Sequence, residues 1–200
     1  MISVAIQAGG ESRRMGEDKA LLPFLGETLV ERVMRRIAPL ADELFITTNQ
    51  PETYPDFQVP LFRDILPGKG ALGGLFTALS VAQNPVLILV ACDMPFINAD
   101  LLRAQVERLH TQNADAVVPQ TNQGYEPFHA VYRCEICLPA VQQALEIGER
   151  RLISWFPAVR VSAFSPEDIR NYDPQLISFW NINTKEDLAR AEDFARSGSQ

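Results

Sequence analysis

The chain has 200 residues, 46% apolar and 22% charged, with a formal net charge of −7, the balance of one ordinary globular domain rather than a disordered segment. Such acidity argues against nucleic acid or an anionic membrane as the main partner, because both require a broad basic footprint. Three cysteines, no secretory signal ahead of the first strand and no apolar run long enough for a bilayer set the expectation of a reducing cytoplasm.

Residues 4–6 read as a short buried strand that breaks into Gln7-Ala8-Gly9-Gly10-Glu11-Ser12-Arg13-Arg14-Met15-Gly16-Glu17-Asp18-Lys19. Gly9 and Gly10 let the backbone turn sharply and approach a ligand closely. Successive N–H groups can then point into one concavity, while Arg13, Arg14 and Lys19 add full positive charges suited to phosphate oxygens. A merely basic surface turn accounts for one glycine pair but not for two arginines, a third glycine and a lysine after a single strand. The loop is not a P-loop, since Glu17-Asp18-Lys19-Ala20 follows Gly16 where Lys-Ser/Thr is required. Nor does the dinucleotide pattern G-x-G-x-x-G occur at this point.

Thr28-Leu29-Val30-Glu31 forms a capping box, with Leu29, Val33 and Ile37 on one face of the helix it opens. Further strands are predicted at 44–47, 59–62, 86–90, 116–119, 128–132, 159–164 and 179–182. The runs at 86–90 and 116–118 are continuously apolar, as in parallel strands covered on both faces. Asn98 can cap a helix carrying Leu101, Leu102 and Leu109, and Thr184 to Asp187 opens the last helix. The pattern predicts one α/β domain over 1–195, a three-layer sandwich with a mostly parallel sheet, and a frayed tail at 196–200. Ligands of such sheets sit at the carboxyl ends of the strands. The residues there are Thr47-Thr48-Asn49, Arg63-Asp64, Cys92-Asp93-Met94-Pro95 and Asn181-Ile182-Asn183-Thr184, together with the N-terminal loop. These five ends are expected to converge on one edge.

Asp93 closes the most apolar strand, where a carboxylate is costly unless it is paired or holds a metal. Asn98 already serves as a helix cap, so Asp93 is read as a Mg²⁺ ligand, uncompensated in the empty site. Gly68-Lys69-Gly70-Ala71-Leu72-Gly73 does match G-x-G-x-x-G, but Arg63 to Pro67 separates it from the strand, and it is read as a second wall of the ligand site. Cys134 and Cys137 lack partners for a four-ligand zinc site and are expected to be inert core thiols. His110 is expected on a solvated helix face, whereas His129 suits a strand-facing or a ligand role equally.

Taken together, the motif from Ala8 to Lys19, Gly70-Ala71-Leu72-Gly73-Gly74, Cys92-Asp93-Met94-Pro95 and Asn181-Ile182-Asn183-Thr184 resemble the molybdenum cofactor guanylyltransferase (MobA) family of nucleotidyltransferases. The resemblance runs from residue 3 to about residue 190. It implies a Rossmann-like sheet of the nucleotide-diphospho-sugar transferase type. It also implies transfer of GMP from GTP to Mo-molybdopterin with Mg²⁺, and delivery of product to molybdoenzymes or their chaperones. Carried over residue by residue, Gln7, Ala8, Gly9, Gly10, Lys19, Asn49, Asp64, Gly70 and Asp93 would bind nucleotide. Lys19, Arg13 and Asp93 would be catalytic, Asp93 would hold the metal, and Asn181 and Asn183 would face the acceptor. Gln7 stands where the family usually has leucine: a position that uses only its backbone tolerates the change, whereas a glutamine amide could alter base selection. A nucleotidyltransferase using CTP or another acceptor, a NAD-type oxidoreductase and a non-catalytic GTP-binding paralogue are the competing readings. The presence of both Lys19 and Asp93 speaks against the last.

Overall fold

The computed structural model describes residues 1–8 and 18–198. In chain order its elements are β1 (Ile2–Gln7), β2 (Pro23–Phe24), β3 (Glu27–Thr28), α1 (Leu29–Ile37), β4 (Glu43–Thr48), β5 (Leu61–Arg63), α2 (Gly70–Val81) and β6 (Val86–Ala91). There follow α3 (Ala99–Thr111), β7 (Ala116–Thr121), β8 (Gly124–Tyr125), β9 (His129–Arg133), α4 (Cys134–Glu146), β10 (Val161–Phe164), α5 (Pro166–Arg170) and α6 (Lys185–Ser197). The main sheet has the order β10-β7-β9-β6-β1-β4-β5, with β8 paired to β7. β1 pairs in parallel with β4 on one side and β6 on the other. The chain therefore reverses its direction of growth at β1, the kind of crevice where open α/β sheets bind ligands.

The sheet is covered on both faces, and residue alternation assigns the sides. Val4, Ile6, Ile46 and Ile88 pack with Val30, Val33, Leu101, Leu102 and Leu109, which places α1 and α3 on one face. Ala5, Phe45, Leu87 and Leu89 pack with Leu72, Leu75, Val141 and Ala144, which places α2 and α4 on the other. All six residues of β6 are buried, as its continuous apolar run predicts. Each large side chain so enclosed contributes about 1.5–3 kcal/mol. A third cluster joins Phe24, Leu29 and Phe96 to Ile182 and Ala191, fixing α6 beside the segment that follows β6.

The helix starts follow the sequence. Thr28 with Glu31 and Thr184 with Asp187 form complete capping boxes, and the Asn98 side chain accepts from the Asp100 and Leu101 N–H groups. Along the main order one strand runs against the mostly parallel sheet, and two strand expectations need correction. β9 runs antiparallel to β6 and β7, because its connection from β7 is a short hairpin with no room for a crossover helix. β5 begins at Leu61 rather than at 59. Residues 179–182 are not a strand: Leu176 takes a left-handed conformation (φ 57°) and opens a single 3-10 turn over Ile177–Phe179. The chain beyond it is held by one backbone bond, Ile182 N–H to Asp93 O at 2.9 Å, instead of a ladder. α6 extends through Ser197. Among the described residues no helix is long and apolar enough to cross a membrane.

Candidate active site

Four of the expected strand ends do meet on one edge. At the end of β1, the Gln7 carbonyl accepts from Cys92 N–H (3.2 Å) and the Ala8 N–H donates to Thr47 O (2.8 Å). The Asp64 N–H donates to Thr48 O (3.0 Å), tying the end of β5 to that of β4. The fifth end, Asn181 to Thr184, arrives by the Ile182–Asp93 bond rather than from a strand.

Lys19 is the junction. Its Nζ donates to Asn183 Oδ1 at 2.7 Å and lies 3.5 Å from Asp93 Oδ2. Burial pushes the Asp93 carboxyl up, and the neighbouring ammonium only partly offsets it. Asp93 is therefore not uncompensated in the empty site, because Lys19 is its counter-ion. Lys19 is presented by a short 3-10 turn, Lys19–Leu21, capped by Asp18, whose Oδ1 accepts from Ala20 N–H at 3.0 Å. The other Asp18 oxygen accepts from the Tyr54 hydroxyl at 2.7 Å, and that hydroxyl also lies 3.3 Å from Ala8 O. Burial, and then the Asp18 carboxylate, raise the Tyr54 pKa, and the protonated phenol links Ala8 to Asp18. No spacing signal marked Tyr54 or Asp18 for this role. Gly9, Gly10, Arg13 and Arg14 lie outside the described residues.

On the α2 face the strand ends are rich in unmet polar atoms. Gln7 Oε1, Thr47 Oγ1 and Asp64 Oδ1 are buried without a hydrogen-bond partner among the described residues. Gln7 and Thr47 are register partners on adjacent strands, so their side chains share that face. The Gln7 carboxamide lies over α2, its Nε2 3.4 Å from Ala71 O, and a methyl group at Gly74 would overlap it. Burial also raises the Asp64 pKa. Buried polar atoms in folded proteins are nearly always paired, and two orphaned acceptors with an orphaned hydroxyl on neighbouring strands mark a place for a polar ligand. Gly70, with φ +60°, starts α2 beside them, and Lys69 ahead of it makes no side-chain cap. Asn49 is exposed, its carbonyl accepting from Arg63 at 2.7 Å. Asn181 turns its amide back onto Phe179 O at 3.0 Å, so Asn183 rather than Asn181 reaches Lys19.

Among the described residues no three His, Cys, Asp or Glu side chains cluster to hold an ion. One desolvated carboxylate fits instead the pattern of Mg²⁺ carried by a nucleotide, which takes one or two carboxylates and fills its octahedron with phosphate oxygens and water. His129 is fully buried and faces its neighbours in the fold. Its Nε2 accepts from Asn98 N–H at 3.4 Å, Gln105 lies 3.3 Å from Nδ1, and burial pushes its pKa down to about 4. His110 is exposed on α3. Burial raises the thiols of Cys134 and Cys137 to about 11 and about 12, as expected of unreactive cysteines.

Known proteins share this architecture. A family described as the MobA-like NTP transferase domain matches residues 4–161. The chain belongs to that family. A molybdenum cofactor guanylyltransferase of Desulfosudis oleivorans is 34% identical over 96% of this chain and 95% of its own length. A probable molybdenum cofactor guanylyltransferase of Carboxydothermus hydrogenoformans is also 34% identical, over 94% of each chain. Among solved structures, the molybdopterin-guanine dinucleotide biosynthesis protein A of Archaeoglobus fulgidus superposes with a TM-score of 0.86 at 27% identity, covering 98% of this chain and 99% of its own. The MobA-like fold is thus a mixed, mostly parallel sheet flanked by helices, of the nucleotide-diphospho-sugar transferase type.

Proposed function

We propose that this MobA-like chain is a molybdenum cofactor guanylyltransferase that transfers GMP from GTP to Mo-molybdopterin and releases pyrophosphate. The observation that carries the reading is the meeting of Lys19, Asp93 and Asn183, three residues 74 and 164 positions apart, at the carboxyl edge of the sheet. In the reaction an oxygen of the acceptor's terminal phosphate attacks the α-phosphorus of GTP, and the bond to the β-phosphate oxygen breaks. Such transfer needs positioning and charge neutralisation more than covalent help. Asp93 would hold the Mg²⁺ that neutralises the phosphates. Lys19, a mobile point charge, leaves Asp93 for the phosphate oxygens and so releases Asn183 towards the acceptor. Arg13, Gly9 and Gly10 supply further donors to the triphosphate, and Asn181 joins Asn183 on the acceptor side.

The nucleoside is assigned to the α2 face, against Gln7, Ala8, Asn49, Asp64 and Gly70. Two acceptors without donors, Gln7 Oε1 and Asp64 Oδ1, favour guanine, which offers a ring N–H and an amino group on one edge, over cytosine, which offers its amino group alone. The same reading takes residues 1–195 as one catalytic unit working in the cytoplasm and passing its product to molybdoenzymes or their chaperones. Thermal melting tests the nucleotide assignment. A ligand at 100 times its Kd adds about 2.7 kcal/mol, so GTP with Mg²⁺ is expected to raise Tm clearly above CTP, ATP or NADH. Equal shifts with CTP, or a larger one with NADH, contradict the assignment.

A further inference from the structure

A cavity of about 370 Å³ opens between the end of α1 and the segment 172–178, lined in part by Arg36, Phe96, Tyr172, Asp173, Ile177 and Ser178. Its polar groups are incompletely satisfied. Asp173 is 4% exposed; one carboxylate oxygen accepts from Ser178 N–H at 2.7 Å, and the other has no hydrogen-bond partner among the described residues. The Ser178 hydroxyl is fully buried and unpaired among the described residues. Arg36 uses only Nε, which donates to Ile97 O at 2.7 Å, and its terminal amino groups have no partner among the described residues. Burial, then the nearby Arg32 and Arg35, lower its pKa. Arg36 and Asp173 face one cavity without forming an ion pair with each other.

A ligand that engages both charges must bring donors to the carboxylate and an acceptor to the guanidinium. A simple anion suits Arg36 but is repelled by Asp173, and a simple cation has the converse difficulty. A 2-amino-4-oxopyrimidine edge has the required order: an amino group and a ring N–H beside a carbonyl. Phe96 and Tyr172 add flat aromatic walls suited to a heterocycle. Both guanine and a pterin carry that edge, and position separates them. The unmet polar atoms of Gln7 and Thr47 lie on the α2 face, whereas this cavity lies on the α1 face. Phe96 is three residues beyond Asp93, so it lies within about 11 Å of Asp93 along the chain. On the other wall, Ser178 precedes by four residues the Ile182 that bonds to Asp93 O.

We propose that this cavity seats the acceptor's pterin ring, with Asp173 and Arg36 binding its 2-amino-4-oxopyrimidine edge while its phosphate reaches Asp93. The proposal rests on the acceptor named above. Fluorescence titration of the full chain with 6-hydroxymethylpterin, and with the matching lumazine in which a carbonyl replaces the 2-amino group, tests it. Pterin is expected to bind about tenfold or more tighter than lumazine, the scale of one hydrogen bond to a charged group. GTP with Mg²⁺ should not displace it. Asp173→Asn should erase the pterin preference, and Arg36→Met should weaken both ligands about tenfold, by the same scale. Both variants should keep the GTP melting shift. Displacement of pterin by GTP, equal affinity for the two ligands in the wild type, or unchanged affinities in both variants would overturn the proposal. The wild-type ligand comparison needs no variant, so it stands even where a variant fails to fold. Pterin binding with the stated preference but no GTP shift would count against the nucleotide assignment and still support the cavity.

Discussion

Asp115, where β7 begins, accepts from the Arg160 backbone N–H and from two nitrogens of its guanidinium, whereas Asp64, past the end of β5, leaves one buried oxygen unpartnered. The contrast extends to their neighbours. Asp168 receives a bidentate Arg108 at 2.7 Å and the Ser165 N–H, while Asp93 has Lys19 at 3.5 Å. The side-chain bonds from Arg160 and Arg108 hold the Asp115 and Asp168 carboxyls below the usual range, and burial pushes Asp64 and Asp93 above it. One pair of acids is finished by the fold. The other is left to be finished by a ligand, and perturbation of that second kind is where function is to be sought.

The largest effect expected from this contrast is at Asp93. Asp93→Asn keeps the shape and the Lys19–Asn183 bond but removes the charge that a metal requires. Guanylyl transfer should fall by about 10²–10³-fold or more, the scale of losing one preorganised electrostatic contact. Tm should change little, because the desolvation of the carboxylate is relieved while its pairing with Lys19 is lost. A variant that turns over at near wild-type rate across a magnesium titration would make Asp93 a structural residue like Asp115.

At Asp115 the roles reverse. Asp115→Ala should lower stability by removing the buried carboxylate that accepts three hydrogen bonds from Arg160, with kcat and KM for GTP unchanged. The pH dependence has a definite sign. Because the Asp115 and Asp168 pKa values are lowered in the folded state, their stabilisation is fully present above the unfolded value near 3.8 and is lost as pH falls through the folded values. Denaturant titrations from pH 6 to pH 2 should therefore show a fall in stability below about pH 4, shallower in Asp115→Ala. An identical slope in the variant would show that Asp115 has no part in the acid sensitivity.

The smallest effect sharpens the acceptor-rich side. Gly74→Ala should displace the Gln7 carboxamide, the end of a flexible side chain, and cost about 1 kcal/mol by overpacking. Gln7→Ala should recover much of that loss in the double variant, because the two residues are in contact and their effects are not additive. Additive losses would show that Gly74 is required for some reason other than Gln7.

The chemistry at strand ends was legible because it follows local rules: a continuous apolar run ending in Asp93, glycines opening α2, capping boxes at Thr28 and Thr184. What eluded the sequence depends on long-range placement. The direction of β9 is set by a hairpin rather than by its own residues. The stretch around Phe179 has strand-like composition but meets Asp93 through a single bond, with the left-handed Leu176 turning it away from the sheet. Lys19 reads in the sequence as a phosphate ligand only, and its tie to Asn183 spans 164 positions. Arg36 and Asp173 carry no sequence signal at all, since each alone looks like a helix-end arginine or a loop acid until the fold sets both on one cavity.

Pyrophosphate release tests the central claim most directly. The protein is incubated with Mg²⁺, molybdate-loaded molybdopterin and each of GTP, CTP and ATP in turn, with acceptor-free controls. Acceptor-dependent pyrophosphate is expected with GTP, accompanied by a guanine dinucleotide product, and little with CTP or ATP. Release that favours CTP, or that proceeds equally without the acceptor, would contradict guanylyl transfer to molybdopterin.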